Sequence, residues 1–393
     1  MKIYLDNAAT TALDPNVLDK MTQYFITDFG NPSSWHSFGR DGLKAVDNAR
    51  DEIAAILGAK PSEIYFTSCG TESDNWALRG AVYASTNKKK HIVTTTIEHP
   101  AILDTCAALE RDGVEVTYVA VDSDGLVKLE DIKKAITDNT VIVSVMTANN
   151  EIGSIQPISE IGEFCRDEGI YFHTDAVQAV ESEDLNVDKL NVDLLSLSAH
   201  KFHGPKGIGI LYMRSGVKIA KYMTGGHQER GQRAGTTNTP LIVGMAEALK
   251  ITVSNRDQYV KKVSELRDYL IDRVLNEIQF AHLNGGCIKR LPNNVNLSFD
   301  YIEGESLLMM LDLNGVAVSS GSACSSGSLE PSHVILALGV KPEIAHGSVR
   351  FSLGRETTKG EIDYAIEVLK KSVTRLREIS PLFNVQKGEG SYV

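Results

Sequence analysis

The sequence predicts an α/β protein in which a mostly parallel central sheet is flanked by helices and followed by a smaller α+β domain. Three observations carry this. Short β-branched runs alternate with helical segments from about residue 60 to 215, the runs are continuously apolar or β-branched, and the pattern changes after about residue 250. Continuous runs suit strands covered on both faces, and β-α-β alternation favours parallel pairing with helices on either side.

Asp14 and Pro15 predict the N-cap and first turn of a helix with Val17, Leu18, Met21, Tyr24 and Phe25 on its apolar stripe. A second helix over 43–57 carries Leu43, Val46, Ala49, Ile53 and Leu57 and stops at Gly58. IYFTS, HIVTTT, VEVTYVA, TVIVSVM, IYFHTD and DLLSLS are the predicted strands. Segments 72–84, 100–111, 129–136 and 158–168 are the helices between them, with Ile158, Ile161, Phe164 and Cys165 as the stripe of the last. Then come a charged helix over 255–278, the strand NNVNLSFD, a helix at 304–313, VAVSS, a Gly/Ser loop, GSVRFSLG and a final helix near 359–379. The expected division is a large domain over 15–250 and a small one built from 1–14 and 251–393, the latter carrying the loop at about 320–331. The tail KGEGSYV is expected to fray.

Among the 393 residues, 40 Lys+Arg oppose 51 Asp+Glu, so 40 − 51 = −11, which argues against a nucleic-acid or anionic-membrane binder. No apolar stretch approaches the ~20 residues of a membrane span, and MKIYLDNAATT does not resemble a secretory signal. Cysteines at 69, 106, 165, 287 and 324 form no CxxC pair, so neither a disulfide framework nor a zinc site is expected, and a reducing cytoplasm is.

Ligands of open parallel sheets bind beyond the carboxyl ends of strands, and four places there draw notice. In FTSCGTESDN a small-residue turn at a helix start offers N–H groups to a phosphate, although an ordinary βα turn has the same composition. In IYFHTDAVQAV, Asp175 ends a strand and Gln178 follows. In DLLSLSAHKFHGPKG, Ser198, His200 and Lys201 sit among glycines, an unusual setting for a solvated lysine. His200 and His203 have metal-compatible spacing but no nearby carboxylate or thiolate. In GSACSSGSLEPS, Cys324 lacks apolar neighbours that could bury it, and the glycines and serines predict a mobile loop bearing a nucleophile or sulfur carrier.

Together with YLDNAATT, NPSS, EHPA, NNEIG, RAGT and VRFSLGR, these motifs closely resemble the cysteine desulfurases, pyridoxal-phosphate enzymes of fold type I within the class V aminotransferases. The motifs occur in the family's order and span all but the tail. The loop around Cys324 resembles the longer version of the iron–sulfur-assembly and nitrogen-fixation enzymes.

The resemblance implies a role for each matching residue. Lys201 would bond the cofactor covalently, Asp175 would sit beneath its pyridine nitrogen, and His99 would stack on the ring and carry protons. Gln178 would bond the phenolic oxygen. Gly70, Thr71, Ser198 and His200 would hold the phosphate, with Thr236 reaching it from the other subunit of a homodimer. Asn150 and Arg350 would clamp the carboxylate of L-cysteine. Cys324 would take the sulfur as a persulfide, pass it to an iron–sulfur scaffold protein, and transiently help ligate a nascent cluster. Another class V aminotransferase, a β-lyase, or a non-catalytic sulfur carrier are the alternatives. Cys69 departs from the family, which usually has glycine there.

Overall fold

The structure is a computed structural model that describes residues 2–320, 331–381 and 383. After a short strand, β1 (Ile3–Tyr4), the chain builds a seven-stranded sheet from β2 (Ile64–Thr67), β3 (His91–Thr95), β4 (Glu115–Val119), β5 (Thr140–Ser144), β6 (Tyr171–Asp175), β7 (Leu194–Ser198) and β8 (Gly209–Met213). They lie in the order β2-β8-β7-β6-β5-β3-β4, and only β8 runs against its neighbours. The six strands expected from sequence are present. The seventh, β8, returns from β7 through the link 199–208, and so short a connection suits antiparallel neighbours, because a parallel pair needs a longer crossover.

Adjacent residues of each strand point to opposite faces. Val143 packs with Phe172 and Leu195 in one core, whereas Ile142 packs with Trp76 and Cys106 in the other. Trp76 and Phe172 are fully buried, and truncating either to alanine would cost about 3–5 kcal/mol.

Helix α1 (Pro15–Ile26) starts where expected, with the Asp14 carboxylate accepting from the Asn16 N–H at 2.8 Å. Its buried stripe is narrower than the sequence suggested: Val17 and Met21 are buried, but Leu18 and Phe25 face outward. Helix α2 (Ser37–Leu57) begins earlier than position 43, because His36 Nδ1 caps it by accepting from the Gly39 N–H, and exposed Leu43 falls off its stripe. Gly58 ends it with a left-handed φ of 68°. Between the strands lie α3 (Gly70–Ala84), α4 (Pro100–Arg111), α5 (Leu129–Ala135) and α6 (Ile158–Asp167). A helix not separated out in the sequence, α7 (Thr239–Ser254), packs against α1 and α2 and leads into α8 (Arg256–Glu277).

A third core is built from α8, β9 (Ala281–Leu283), β10 (Asn294–Phe299), α9 (Gly304–Leu313), β11 (Val316–Ala317), β12 (Ser348–Ser352) and α12 (Lys359–Ile379), around an antiparallel sheet of order β12-β10-β9, whereas α10 (His333–Ala337) and α11 (Pro342–Ala345) pack in a smaller cluster with Ile97, Met146 and Ile152. Ile3 and Leu5 join this core, and β1 pairs with β11. The first residues therefore pack with the last third of the chain. Among the described residues no helix is long and apolar enough to cross a membrane.

Candidate active site

A cavity of about 290 Å³ opens at the carboxyl edge of the parallel strands. Its lining includes Gly70, Thr71, His99, Asn150, Asp175, Gln178, Ser198, His200, Lys201 and Arg350. Ten of the residues singled out in the sequence thus meet in one place. Thr236 does not: it lines a separate hollow of about 190 Å³ beside Ser68 and Arg233. Cys324 and residues 321–330 of its loop lie outside the described residues.

One end of the cavity is the start of α3. Cys69 is its N-cap, with φ of −173° and ψ of 173°. That is extended backbone open to any residue, so the turn does not require the glycine usual in the family. Gly70 is more constrained, since a Cβ there would come within 2.9 Å of Val177. The first turn of this helix, whose N–H groups have no intrahelical acceptors, lies at the cavity together with Thr71, Ser198 and His200. Burial, with Lys201 and Lys206 adding to it, lowers His200 to about 4, so its imidazole is neutral. Its Nδ1 lies 3.1 Å from the Thr10 hydroxyl. Glu72, in the same helical turn, is engaged elsewhere: Arg233 donates to it at 2.7 and 3.0 Å and the Ser68 N–H at 2.7 Å. Burial opposes its ionisation, but these bonds outweigh it and hold Glu72 below the ordinary carboxylate range.

The other end is acidic and buried. Asp175 ends β6 and accepts from the Val177 N–H at 2.9 Å. Burial pushes Asp175 up, while His99, the Val177 N–H and Lys201 pull it down. Behind it, Asp74 is fully enclosed, and burial together with the charge of Asp175 raises it strongly. Asp74 is therefore the member of the pair that keeps its proton, leaving the negative charge on Asp175. His173 beneath them is pushed by burial to about 3 and bonds the hydroxyls of Ser144 and Ser196 as a neutral ring.

His99 caps α4, its Nδ1 accepting from the Ala101 N–H at 3.1 Å. Burial lowers its pKa, which leaves a neutral ring with its proton on Nε2. Lys201 sits in the 3₁₀ turn after β7 and donates from Nζ to the carbonyls of Ala8 at 2.6 Å and Ala9 at 2.9 Å. Gln178 Nε2 donates to the same Ala8 carbonyl at 3.0 Å. Arg350, in β12, sends Nη1 to the Asn150 carbonyl and Nη2 to Asp6 Oδ1, both at 2.9 Å. Its Nε has no acceptor among the described residues. The carbonyls of Ala8 and Ala9, the Asp6 carboxylate and Asp74 were not singled out in the sequence. Carbonyls are common to every residue type, whereas Asp74 had a readable signal, being an acid on the buried side of a helix next to Trp76.

A family model for class V aminotransferases matches residues 3–365. The chain belongs to this family. It is 53% identical to the cysteine desulfurase IscS of Clostridium botulinum over 97% of both chains, and 52% identical to that of Methanosarcina thermophila over 97% of this chain and 94% of the other. A solved NifS-like protein superposes with a TM-score of 0.90 at 40% identity, covering 96% of this chain and all of that one. The structure of SspA in complex with cysteine gives 0.80 at 35% identity, covering 91% and 100%.

Like other class V aminotransferases, this one uses pyridoxal phosphate. The cavity fits the cofactor: an anion cradle at the α3 N-terminus, tight enough that a Cβ on Gly70 would intrude, lies opposite a buried charged carboxylate, with a lysine between strand end and cavity.

Proposed function

We propose how this chain, a cysteine desulfurase, divides the conversion of L-cysteine to L-alanine among its residues. The observation that carries the division is the convergence of Lys201, Asp175, His99, Asn150 and Arg350 on one cavity. Bound pyridoxal phosphate supplies an electron sink for the charge left when the substrate loses its α-proton. The α3 N-terminus, Thr71, Ser198 and neutral His200 would hold the phosphate, and Lys201 would bond the cofactor. Asp175 would keep the pyridine nitrogen protonated, Gln178 would bond the phenolic oxygen, and His99 would stack on the ring with Nε2 as its proton-carrying atom.

Arg350 and the Asn150 side chain grip the substrate carboxylate, for which a planar guanidinium is well shaped. Nζ of Lys201, held at the cavity by the turn after β7, would remove the α-proton of the bound substrate. The Cys324 thiolate then attacks the substrate sulfur: an S–S bond forms, the C–S bond breaks with its electron pair going to carbon, and two protons complete alanine, one added to that carbon and the α-proton returned to its own. The sulfur stays on Cys324 as a persulfide, and no outside oxidant is needed.

The holoprotein given L-cysteine and a reductant should yield alanine and sulfide in equal amounts. Pyruvate with ammonia, or no product, would overturn the reading. Cys324→Ser should keep the cofactor absorbance and its response to cysteine yet release almost no sulfide; normal turnover would remove Cys324 from its role.

The same reading makes the protein a homodimer, with Thr236 serving the phosphate across the interface. Its position outside this chain's own cavity supports that, as do the exposed side chains of Phe29, Trp35 and Phe38. The large domain is 15–250 and the small domain 1–14 with 251–393, in keeping with the separate third core. An iron–sulfur scaffold protein is the sulfur acceptor, with Cys324 a transient cluster ligand. A cytoplasmic location is supported by the unpaired thiols of Cys69, Cys106, Cys165 and Cys287.

A further inference from the structure

The reaction as proposed gives no task to the buried carboxyl of Glu151, next in sequence to Asn150. Glu151 is 5% exposed and accepts from Ser332 Oγ at 2.5 Å across 181 positions of sequence. The direction of this bond is set by the serine. Ser332 is the N-cap of α10 and its oxygen already accepts from the N–H groups of Val334 at 3.1 Å and Ile335 at 3.4 Å, so its one proton is left for Glu151. Burial raises Glu151 to about 7, with Ser332 and Arg350 drawing it back, and a hydroxyl donor suits the carboxyl in either state.

Glu151 is itself fixed from behind. Its N–H donates to Asn149 Oδ1 at 2.8 Å, and its carbonyl accepts from the side chains of Asn294 at 3.0 Å and Asn296 at 3.1 Å, both in β10. On the other side of the same chain segment, Ser319 is tied to Arg350: the Arg350 N–H donates to the Ser319 carbonyl at 2.7 Å, and the Arg350 carbonyl accepts from the Ser319 N–H at 3.2 Å. Ser319 and Ser332 bracket Cys324 in sequence, and their moorings are the neighbours of the carboxylate grip, Arg350 itself and the residue after Asn150.

We propose that Glu151, through Ser332, is a positioning residue for sulfur transfer, mooring one end of the segment that bears Cys324 beside the substrate grip. The inference rests on the desulfurase reading and on Cys324 as its nucleophile. A chain held at both ends keeps its thiol at a higher effective concentration near the substrate sulfur than one held at a single end, since that concentration falls with the length of free chain.

The test uses the full-length holoprotein and separates two events. The absorbance change of the cofactor on adding L-cysteine reports substrate entry, and differential alkylation with mass spectrometry in a single turnover reports persulfide on Cys324. Glu151→Ala and Ser332→Ala should each slow persulfide formation by about tenfold or more, the effect expected from one lost charge-assisted hydrogen bond, while the absorbance response stays near that of the unaltered protein. The double variant should be no slower than the worse single one, because both remove one interaction. Glu151→Gln should recover most of the rate, as its amide oxygen still accepts from Ser332. Unchanged persulfide rates, additive defects, or an equal loss of the absorbance response would overturn the inference. If the unaltered protein forms no persulfide, the desulfurase reading fails first and the inference with it.

Discussion

Arg350→Lys keeps the positive charge in β12 but removes the planar fork. In the structure Nη1 and Nη2 are each committed at 2.9 Å, to the Asn150 carbonyl and to Asp6, in a side chain only 5% exposed. A lysine presents a point charge that cannot serve Asp6, Asn150 and a substrate carboxylate together. One lost hydrogen bond to a charged group costs about 1.5–3 kcal/mol, and at 1.36 kcal/mol per decade kcat/KM for L-cysteine should fall ~10- to ~150-fold. The carboxylate carries the same charge in the bound substrate and in the transition state, so the loss should fall mainly on KM. Initial rates of alanine formation over a range of L-cysteine measure this. Asp6→Asn is the control: it leaves the guanidinium in place and should cost less. A kcat/KM within about twofold of the unaltered enzyme, or a loss confined to kcat, would refute the assignment of Arg350 to the substrate carboxylate.

Lys201→Ala should abolish covalent retention of the cofactor: after borohydride treatment the unaltered protein should carry label on the peptide containing Lys201 and the variant none, whereas label on another peptide would reassign the lysine. Burial raises Glu98 from 4.5 to about 8, so the folded chain holds that proton more tightly than the unfolded one. The resulting stability is complete below about pH 4.5 and is lost as pH rises to about 8. Glu98→Gln should therefore lose less melting temperature than the unaltered holoprotein between about pH 5 and about pH 8, and equal losses would contradict the buried acid. Phe29 and Trp35 are 66% and 94% exposed, and the pair Phe29→Asp with Trp35→Asp should reduce the mass seen by light scattering from dimer to monomer. An unchanged mass would move the interface elsewhere.

What the sequence discloses depends on whether a residue acts through its type or through its surroundings. Asp175 and Ser198 were legible because each ends a strand-like run, and α4, α9 and α12 kept their expected limits because their apolar spacing was clear, with His99 and Thr358 capping the first and the last. Strand β8 was missed because GILYM is a short apolar run whose direction is decided by the length of its link to β7. Helix α7 was obscured because its buried residues, from Ile242 through Leu249, surround much of the helix and leave no clear polar face. Arg350 was reachable only through the resemblance, since an arginine in an apolar strand has no local pattern to mark it. The concern over Cys69 disappears once its backbone is seen to be extended. Nothing in residue type could have disclosed the carbonyls of Ala8 and Ala9.

Those carbonyls, with Asp6, have a consequence for how the protein is made. Asp6 and Arg350 are 344 positions apart, and the Asn7 side chain reaches the Ser352 carbonyl across 345. Such distant contacts form late, because the chain between them must first be closed into place. During synthesis, then, the seven strands and their helices can assemble while the opening segment waits, and Arg350 cannot join Asp6 until residue 350 has left the ribosome. A nascent chain halted before that point would display the α3 N-terminus and Lys201 without Arg350, so the cavity gains its last strand-borne wall only when the final third of the chain is made.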